Sequence, residues 1–170
     1  MNPHPLVARF RSANALLIRV ASSLQSPFLL IVRLYWGWSF FQTGKGKLSD
    51  LSQPSEFFAS LHIPFPAFNA ALVATTECVG GLLLLVGLAS RLISLPLTFL
   101  LCIAYLTADN EALRSIFSDP DKFLSATPFQ FLFAVLLVLI FGPGAFSVDH
   151  LLKKKFGATA SESAATAAFS

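Results

Sequence analysis

The chain has 170 residues, of which 55% are hydrophobic and only 12% charged. Soluble domains carry about 25% charged residues, so this composition and a mean hydropathy of +0.69 exclude an ordinary water-soluble domain. The formal net charge of +3 does not point to nucleic acid, because the basic residues lie mostly at the ends of apolar runs, where they meet lipid headgroups.

The expected fold class is all-α, a four-helix transmembrane bundle preceded by an N-terminal amphipathic interfacial helix. Residues 1–26 form the cytoplasmic leader. In it Leu6, Phe10, Ala13, Leu17, Val20 and Leu24 alternate spacings of four and three, which places them on one helical face, with Arg9, Arg11 and Arg19 around the rest. A basic amphipathic helix of this kind lies in the plane of a membrane surface. Residues 27–152 form the membrane domain. Its first span is expected from Pro27, suited to a helix first turn, to Leu48. A loop with the short amphipathic piece after Pro54 and the sequence Pro64-Phe-Pro66 leads to a second span over 68–89. The link Ser90-Arg91 is so short that the third span, 92–108, must return antiparallel, with Pro96 near its start. A polar loop over 109–127 precedes a fourth span, 128–146, which runs into Gly142-Pro-Gly144. Each apolar block approaches the ~20 residues needed to cross a bilayer core. Residues 153–170 are a basic, then Ala/Ser/Thr-rich tail, expected to be disordered.

Orientation follows from the lysines and arginines. With four spans, Arg9, Arg11, Arg19, Arg91, Lys153, Lys154 and Lys155 fall on one side, and Lys45, Lys47, Arg114 and Lys122 on the other. The richer side is the cytoplasmic one, which places both termini in the cytoplasm and the protein in the inner (plasma) membrane.

Chemistry is expected where charge enters the apolar blocks. Glu77 stands in the middle of the second, where an ionised group costs about 2.5 kcal/mol or more and is by default a functional candidate. Its cationic partner is Arg33 or Lys47, and the spacing does not choose between them. Arg33, Gly37, Phe40, Gly44 and Lys47 share one face of the first span. Glu77, Gly80, Leu84, Gly87 and Arg91 share a face of the second, and Thr98, Cys102, Tyr105 and Asp109 a face of the third. Convergence of these stripes would give a pocket in which Glu77, Arg33 and Lys47 are catalytic candidates and Gly37, Gly44, Gly80, Cys102, Tyr105 and Asp109 line the wall. The competing reading is structural: an intramembrane pair that fixes helix register, and glycines that permit close packing. Cys78 and Cys102 are expected as free thiols, and the three histidines form no metal constellation.

Four pieces in order resemble the DoxX family of small four-helix membrane proteins. They are Arg33-Leu-Tyr-Trp-Gly37-Trp-Ser-Phe-Phe-Gln-Thr-Gly44-Lys-Gly-Lys47, His62-Ile-Pro-Phe-Pro66, Glu77-Cys-Val-Gly80-Gly-Leu-Leu-Leu-Leu-Val-Gly87-Leu-Ala-Ser-Arg91 and Phe141-Gly-Pro-Gly-Ala-Phe-Ser-Val-Asp149. The resemblance spans about residues 28–152 and marks Arg33, Gly44, Lys47, Glu77, Gly80, Gly87, Arg91 and Asp149. Ala145 departs from the basic residue that usually follows the Gly-Pro-Gly ending. The family includes the DoxD-type subunit of thiosulfate:quinone oxidoreductase. The resemblance therefore implies a membrane subunit of a quinone-linked redox system, with quinone as the only expected cofactor, none bound covalently, and a soluble or membrane oxidoreductase as partner besides the lipid bilayer. The alternatives are a non-catalytic membrane anchor or assembly partner for a soluble oxidoreductase and, ranked third, a small-molecule or proton carrier.

Overall fold

The computed structural model describes residues 5–155, and within them every regular element is helical. In order these are α1 (Pro5–Ser49), α2 (Ser52–Ser60), α3 (Pro66–Val86), α4 (Ser90–Thr107), α5 (Asn110–Arg114), α6 (Pro120–Ser125) and α7 (Thr127–Phe141). A further helical stretch covers 148–155. The segments expected to be disordered at the C-terminus lie, from residue 156 onward, outside the described residues.

Three helices are long and apolar enough to cross a membrane: α1 over Ala13–Ser49, α3 and α4; α7 is a shorter apolar helix of 15 residues. α1 packs along α3, α3 on α4, α4 on α7, and α7 back on α1, which closes a ring. The shared core is small and dry, made by Phe40, Leu84, Leu97, Leu101, Val135 and Val138, with Phe131 edge-on to Phe40 at 4.7 Å. Most large apolar side chains point outward instead, among them Leu34, Trp38, Leu72, Val79, Leu95, Phe99, Phe133 and Ile140. A membrane protein has this pattern because lipid tails solvate Leu and Phe as well as a core does.

One expectation fails at the start of the chain. A leader helix and a first span separated at Pro27 were predicted, but α1 is a single helix of 45 residues with Pro27 inside it. Proline there removes one backbone donor, and its ring crowds the carbonyl four residues back; such interruptions are tolerated in helices of membrane proteins. At 1.5 Å per residue α1 is about 67 Å long, roughly twice the ~30 Å of a hydrocarbon core. From Phe10 to Gln25 every described side chain is exposed, so this half of α1 projects free of the bundle.

The turns are set by local chemistry. α3 begins at Pro66, after Phe65 in the left-handed region (φ 48). It ends at Gly87, φ 73, whose N–H returns to the Leu83 carbonyl at 2.9 Å, while Leu88 N–H reaches the same carbonyl at 3.0 Å. A glycine fits this left-handed closing position without penalty. α4 then starts at once, and the polar stretch after it, expected as a loop, holds α5 and α6.

α1 and α3 approach backbone to backbone. A Cβ placed on Gly37 would lie 2.8 Å from Leu85 N and 2.9 Å from Gly81 O; one on Gly44 would lie 2.7 Å from Ala74 O and 2.8 Å from Cys78 Cα. Small residues permit such contact between membrane helices, where packing rather than hydrophobic burial drives association. Gly80 faces the other way, toward the Leu97 methyls of α4 at 3.1 Å.

Candidate functional site

The charged residues settle at opposite ends of the bundle. Lys47, in the last turn of α1, donates to both carboxylate oxygens of Glu77 on α3, at 2.6 and 2.7 Å. Both side chains are largely sheltered, with 33% and 13% exposure. The contact follows from the Gly37–Gly44 face: two close crossings bring α1 against α3, and one turn beyond Gly44 the lysine stem reaches the carboxylate. Lys47 is thus the partner of Glu77.

Arg33 is not. It lies 14 residues earlier on α1, about 21 Å along the axis, and is 1% exposed. Its Nη2 donates to the Phe146 carbonyl, and its guanidinium packs on Gly87, where a Cβ would strike Nη1. Asp149 is the acidic group close enough to act on it electrostatically. Asp149 also caps α4: its Oδ1 accepts from Ala89 N–H at 2.7 Å and its Oδ2 from Ser90 N–H at 2.9 Å, while its own N–H donates to Gly87 O at 2.9 Å. Arg33, Gly87 and Asp149, far apart in sequence, therefore form one clasp that ties α1, the α3–α4 turn and the segment after α7. Removing the charge with Asp149→Asn leaves one acceptor of the two and should lower stability in detergent by about 1.5 kcal/mol, since hydrogen bonds to charged groups contribute ~1.5–3 kcal/mol. Thermal unfolding of the purified variant measures this, and an unchanged midpoint would contradict the clasp.

A cavity of about 570 Å³ lies at the Lys47–Glu77 end. Its wall is apolar over most of its area, built from α1 (Phe40), α2 (Phe57, Phe58), α3 (Ala70, Val73), α4 (Leu97, Leu101, Ala104) and α7 (Pro128, Phe131). Lys47, Glu77, Thr43, Asn69 and Asp109 are among its polar members. α3 and α4 touch at Gly80 and Leu97, and beyond that level Leu72, Phe99 and Ile103 line the cavity while also being exposed, which places an opening between these two helices.

The three predicted stripes do not converge. Of the expected pocket residues, Lys47, Glu77 and Asp109 line the cavity, and Arg33, Gly37, Gly44, Gly80, Cys102 and Tyr105 do not. Gly37 and Gly44 are consumed by the α1–α3 contact and Gly80 by α4. Cys102 is exposed on the outer face, and both cysteines are free thiols. Tyr105 is buried, stacked on Phe123 at 4.7 Å, with its hydroxyl donating to the Phe123 carbonyl at 2.9 Å. The physical reason is that the charged groups find local partners at opposite helix ends, Lys47 with Glu77 and Arg33 with the Phe146 carbonyl, instead of sharing one wet interior. The sequence reading also missed the aromatic pair Phe57-Phe58 and Asn69, whose amide donates to Pro64 O at 2.7 Å; the amphipathic character of the piece after Pro54 was the available signal. Among the described residues no group of His, Cys, Asp and Glu is placed to hold a metal ion.

All-helical architecture, lipid-facing apolar surfaces and a sheltered ion pair define a multi-pass integral membrane protein with one ion-paired cavity near one end. The chain matches the family model described as DoxX over residues 28–110. It is 29% identical over 136 residues to the inner membrane protein YqjF of Escherichia coli, covering 78% of this chain and 98% of that one. It is 26% identical over 132 residues to an uncharacterized protein of Haemophilus influenzae, covering 75% and 85%. It is 31% identical over 83 residues to a Bacillus subtilis protein named "Putative oxidoreductase CatD", covering 49% of this chain and 60% of that one. No solved structure matches the chain.

Proposed function

We propose that this chain is the quinone-binding membrane subunit of a redox system, and that the cavity beside Lys47 and Glu77 is the quinone site. The observation that carries the reading is an apolar chamber of about 570 Å³ with a single ion pair in its wall and an opening between α3 and α4. Small-molecule sites are typically apolar cavities of ~300–1,000 Å³ with a few placed polar groups. A lipid-soluble ring with polar oxygens matches such a wall: Phe40, Phe57, Phe58 and Phe131 cover its faces, and the Lys47 ammonium donates to an oxygen. Reduction of a quinone takes two electrons and two protons. A partner oxidoreductase supplies the electrons, and both protons come from water, the Lys47–Glu77 pair holding each in turn and handing it over. The name of the Bacillus subtilis relative supports an oxidoreductase setting.

Binding of decylubiquinone to the purified protein in nanodiscs tests this. The expected result is saturable binding that Leu101→Trp blocks by filling the chamber. Absence of saturable binding would sink the quinone reading and favour a non-catalytic anchor for a soluble oxidoreductase.

The same proposal includes orientation in an inner membrane with both termini cytoplasmic and the cavity toward the outer surface. Supporting it, α7 runs the full depth of α4 in the opposite sense: Arg91 donates to Ile140 O at 3.2 Å at one end, and Thr107 and Thr127 both line the cavity at the other. In a background lacking Cys78 and Cys102, an impermeant maleimide should reach Asp50→Cys from outside the intact cell and Ala160→Cys only after permeabilisation. Labelling of both from one side would refute the odd number of crossings between them.

A further inference from the structure

Beside the apolar cavity lies a second, polar pocket of about 360 Å³, lined by Thr107 to Ala112, Lys122, Ser125 and Ala126. The two chambers share three residues, Thr107, Ala108 and Asp109. Of these, Ala108 has no exchangeable side-chain proton, and the Thr107 hydroxyl donates to Ile103 O at 2.8 Å. Asp109 is half-buried, and as the residue before α5 it makes no capping hydrogen bond. On the polar side Lys122 and Glu111 are occupied with each other at 2.9 Å, and both are well exposed. The shared wall thus contains one titratable side chain, with apolar space on one side and a polar vestibule rimmed by the exposed Lys122–Glu111 pair on the other.

We propose that Asp109 is a proton port, the carboxyl group that passes protons between water in the vestibule and the cavity holding Lys47 and Glu77. The proposal deepens the quinone reading, since a molecule that gains two protons in an apolar chamber needs a route for them that does not open the chamber to water. The balance is simple. A water-borne proton adds to the Asp109 carboxylate on the vestibule side, the carboxylic acid gives it up on the cavity side to a polar atom of the occupant or to the Lys47–Glu77 pair, and the carboxylate is restored. The groups that face this position are Tyr105 on α4, Glu111 on α5 and Lys122 on α6, with Lys47 on α1 and Glu77 on α3 across the cavity. α7 lines the cavity with Thr127, Pro128 and Phe131 and brings no titratable group to it.

A pH-sensitive hydroxycoumarin on Ala104→Cys, a cavity-wall position, in a background of Cys78→Ser and Cys102→Ser, reports proton arrival inside the chamber. After a stopped-flow pH step on nanodiscs, Asp109→Asn should slow the dye response about 100-fold, within the ~10²–10⁴ range of a positioned acid–base group. Asp109→Glu should restore most of the rate, and Glu111→Gln should leave it unchanged. An Asp109→Asn variant that responds at the parent rate overturns the proposal. Carbodiimide labelling of the unmodified chain tests the port without any variant: a lipophilic and a water-soluble reagent should both modify Asp109, whereas modification by only one of them overturns it. Decylubiquinone should protect Asp109 from the lipophilic reagent alone. Dual labelling without that protection upholds the port and sinks the quinone reading, so the two fail separately.

Discussion

Lys47→Met should unfold the protein at a markedly lower temperature and abolish quinone binding, and adding Glu77→Gln to it should recover much of the stability and none of the binding. The first effect arises because Glu77 keeps its place on α3 while losing both of its short contacts to Lys47, at 2.6 and 2.7 Å. Breaking one side of a buried pair costs about 3–5 kcal/mol, mostly through the charge left behind. The stranded Glu77 is 13% exposed and the lost lysine 33%, so the pair is partly solvated and the loss belongs at the lower end, about 3 kcal/mol. Glu77→Gln removes the stranded charge but keeps its shape and hydrogen-bonding capacity. A double-mutant cycle read by thermal unfolding in detergent measures the stability half, and decylubiquinone titration the binding half. Recovery of binding in the double variant would show the pair to be structural only. A Lys47→Met protein as stable as the parent would show that the pair holds nothing together.

Gly44→Leu should prevent assembly of the bundle. The atoms in its way are Ala74 O and Cys78 Cα, main-chain atoms of α3, and no rotamer change can move them. Overpacking a fitted contact costs about 1–3 kcal/mol when side chains can adjust, so a rigid backbone contact puts this substitution at about 3 kcal/mol or more. Separation of α1 from α3 would also pull Lys47 from Glu77 one turn away. Gly46→Ala is the control: a Cβ there meets nothing within 4 Å, and alanine is the better helix former by up to ~1 kcal/mol. Size-exclusion chromatography and unfolding of the two variants side by side check the contrast. Equal behaviour would mean that α1 and α3 do not pack as described.

Much of the fold was legible in the sequence because bilayers enforce length and apolarity. The blocks around Phe28, Phe68, Leu92 and Pro128 became helices, and Glu77 had a lysine or arginine to find. The tight reversal expected at Ser90-Arg91 falls just before it, at Gly87-Leu88-Ala89, where Gly87 and Ala89 have positive φ, and Ser90 and Arg91 open α4. The break at Pro27 was misread because proline signals a boundary in water more strongly than in a membrane helix. The pocket was misassigned for a related reason. Small and polar residues on one helical face show that something packs there, but they do not say what. Gly37 and Gly44 announced a neighbour helix, α3, and not a chamber. The chamber itself is bounded by Phe57, Phe58 and Phe131, whose apolar character is indistinguishable in sequence from that of residues facing lipid.

The clasp at the far end has a consequence for how the protein is made. Arg33 and the Phe146 carbonyl are separated by 113 positions, which at ~5–20 residues per second of synthesis is a delay of roughly 6 to 23 s. For much of that interval the helix that carries Arg33 has left the ribosome while its acceptor does not yet exist, and a cation in an apolar span is costly to insert, up to ~2.5–3.5 kcal/mol at the centre of a bilayer and less toward its edge. Lys47 waits only for Glu77, 30 positions on. The newborn chain therefore acquires its two charge contacts in a fixed order, with the α1–α3 hairpin first and the clasp last, and until the clasp closes Arg33 must lean on headgroups, water or the insertion machinery.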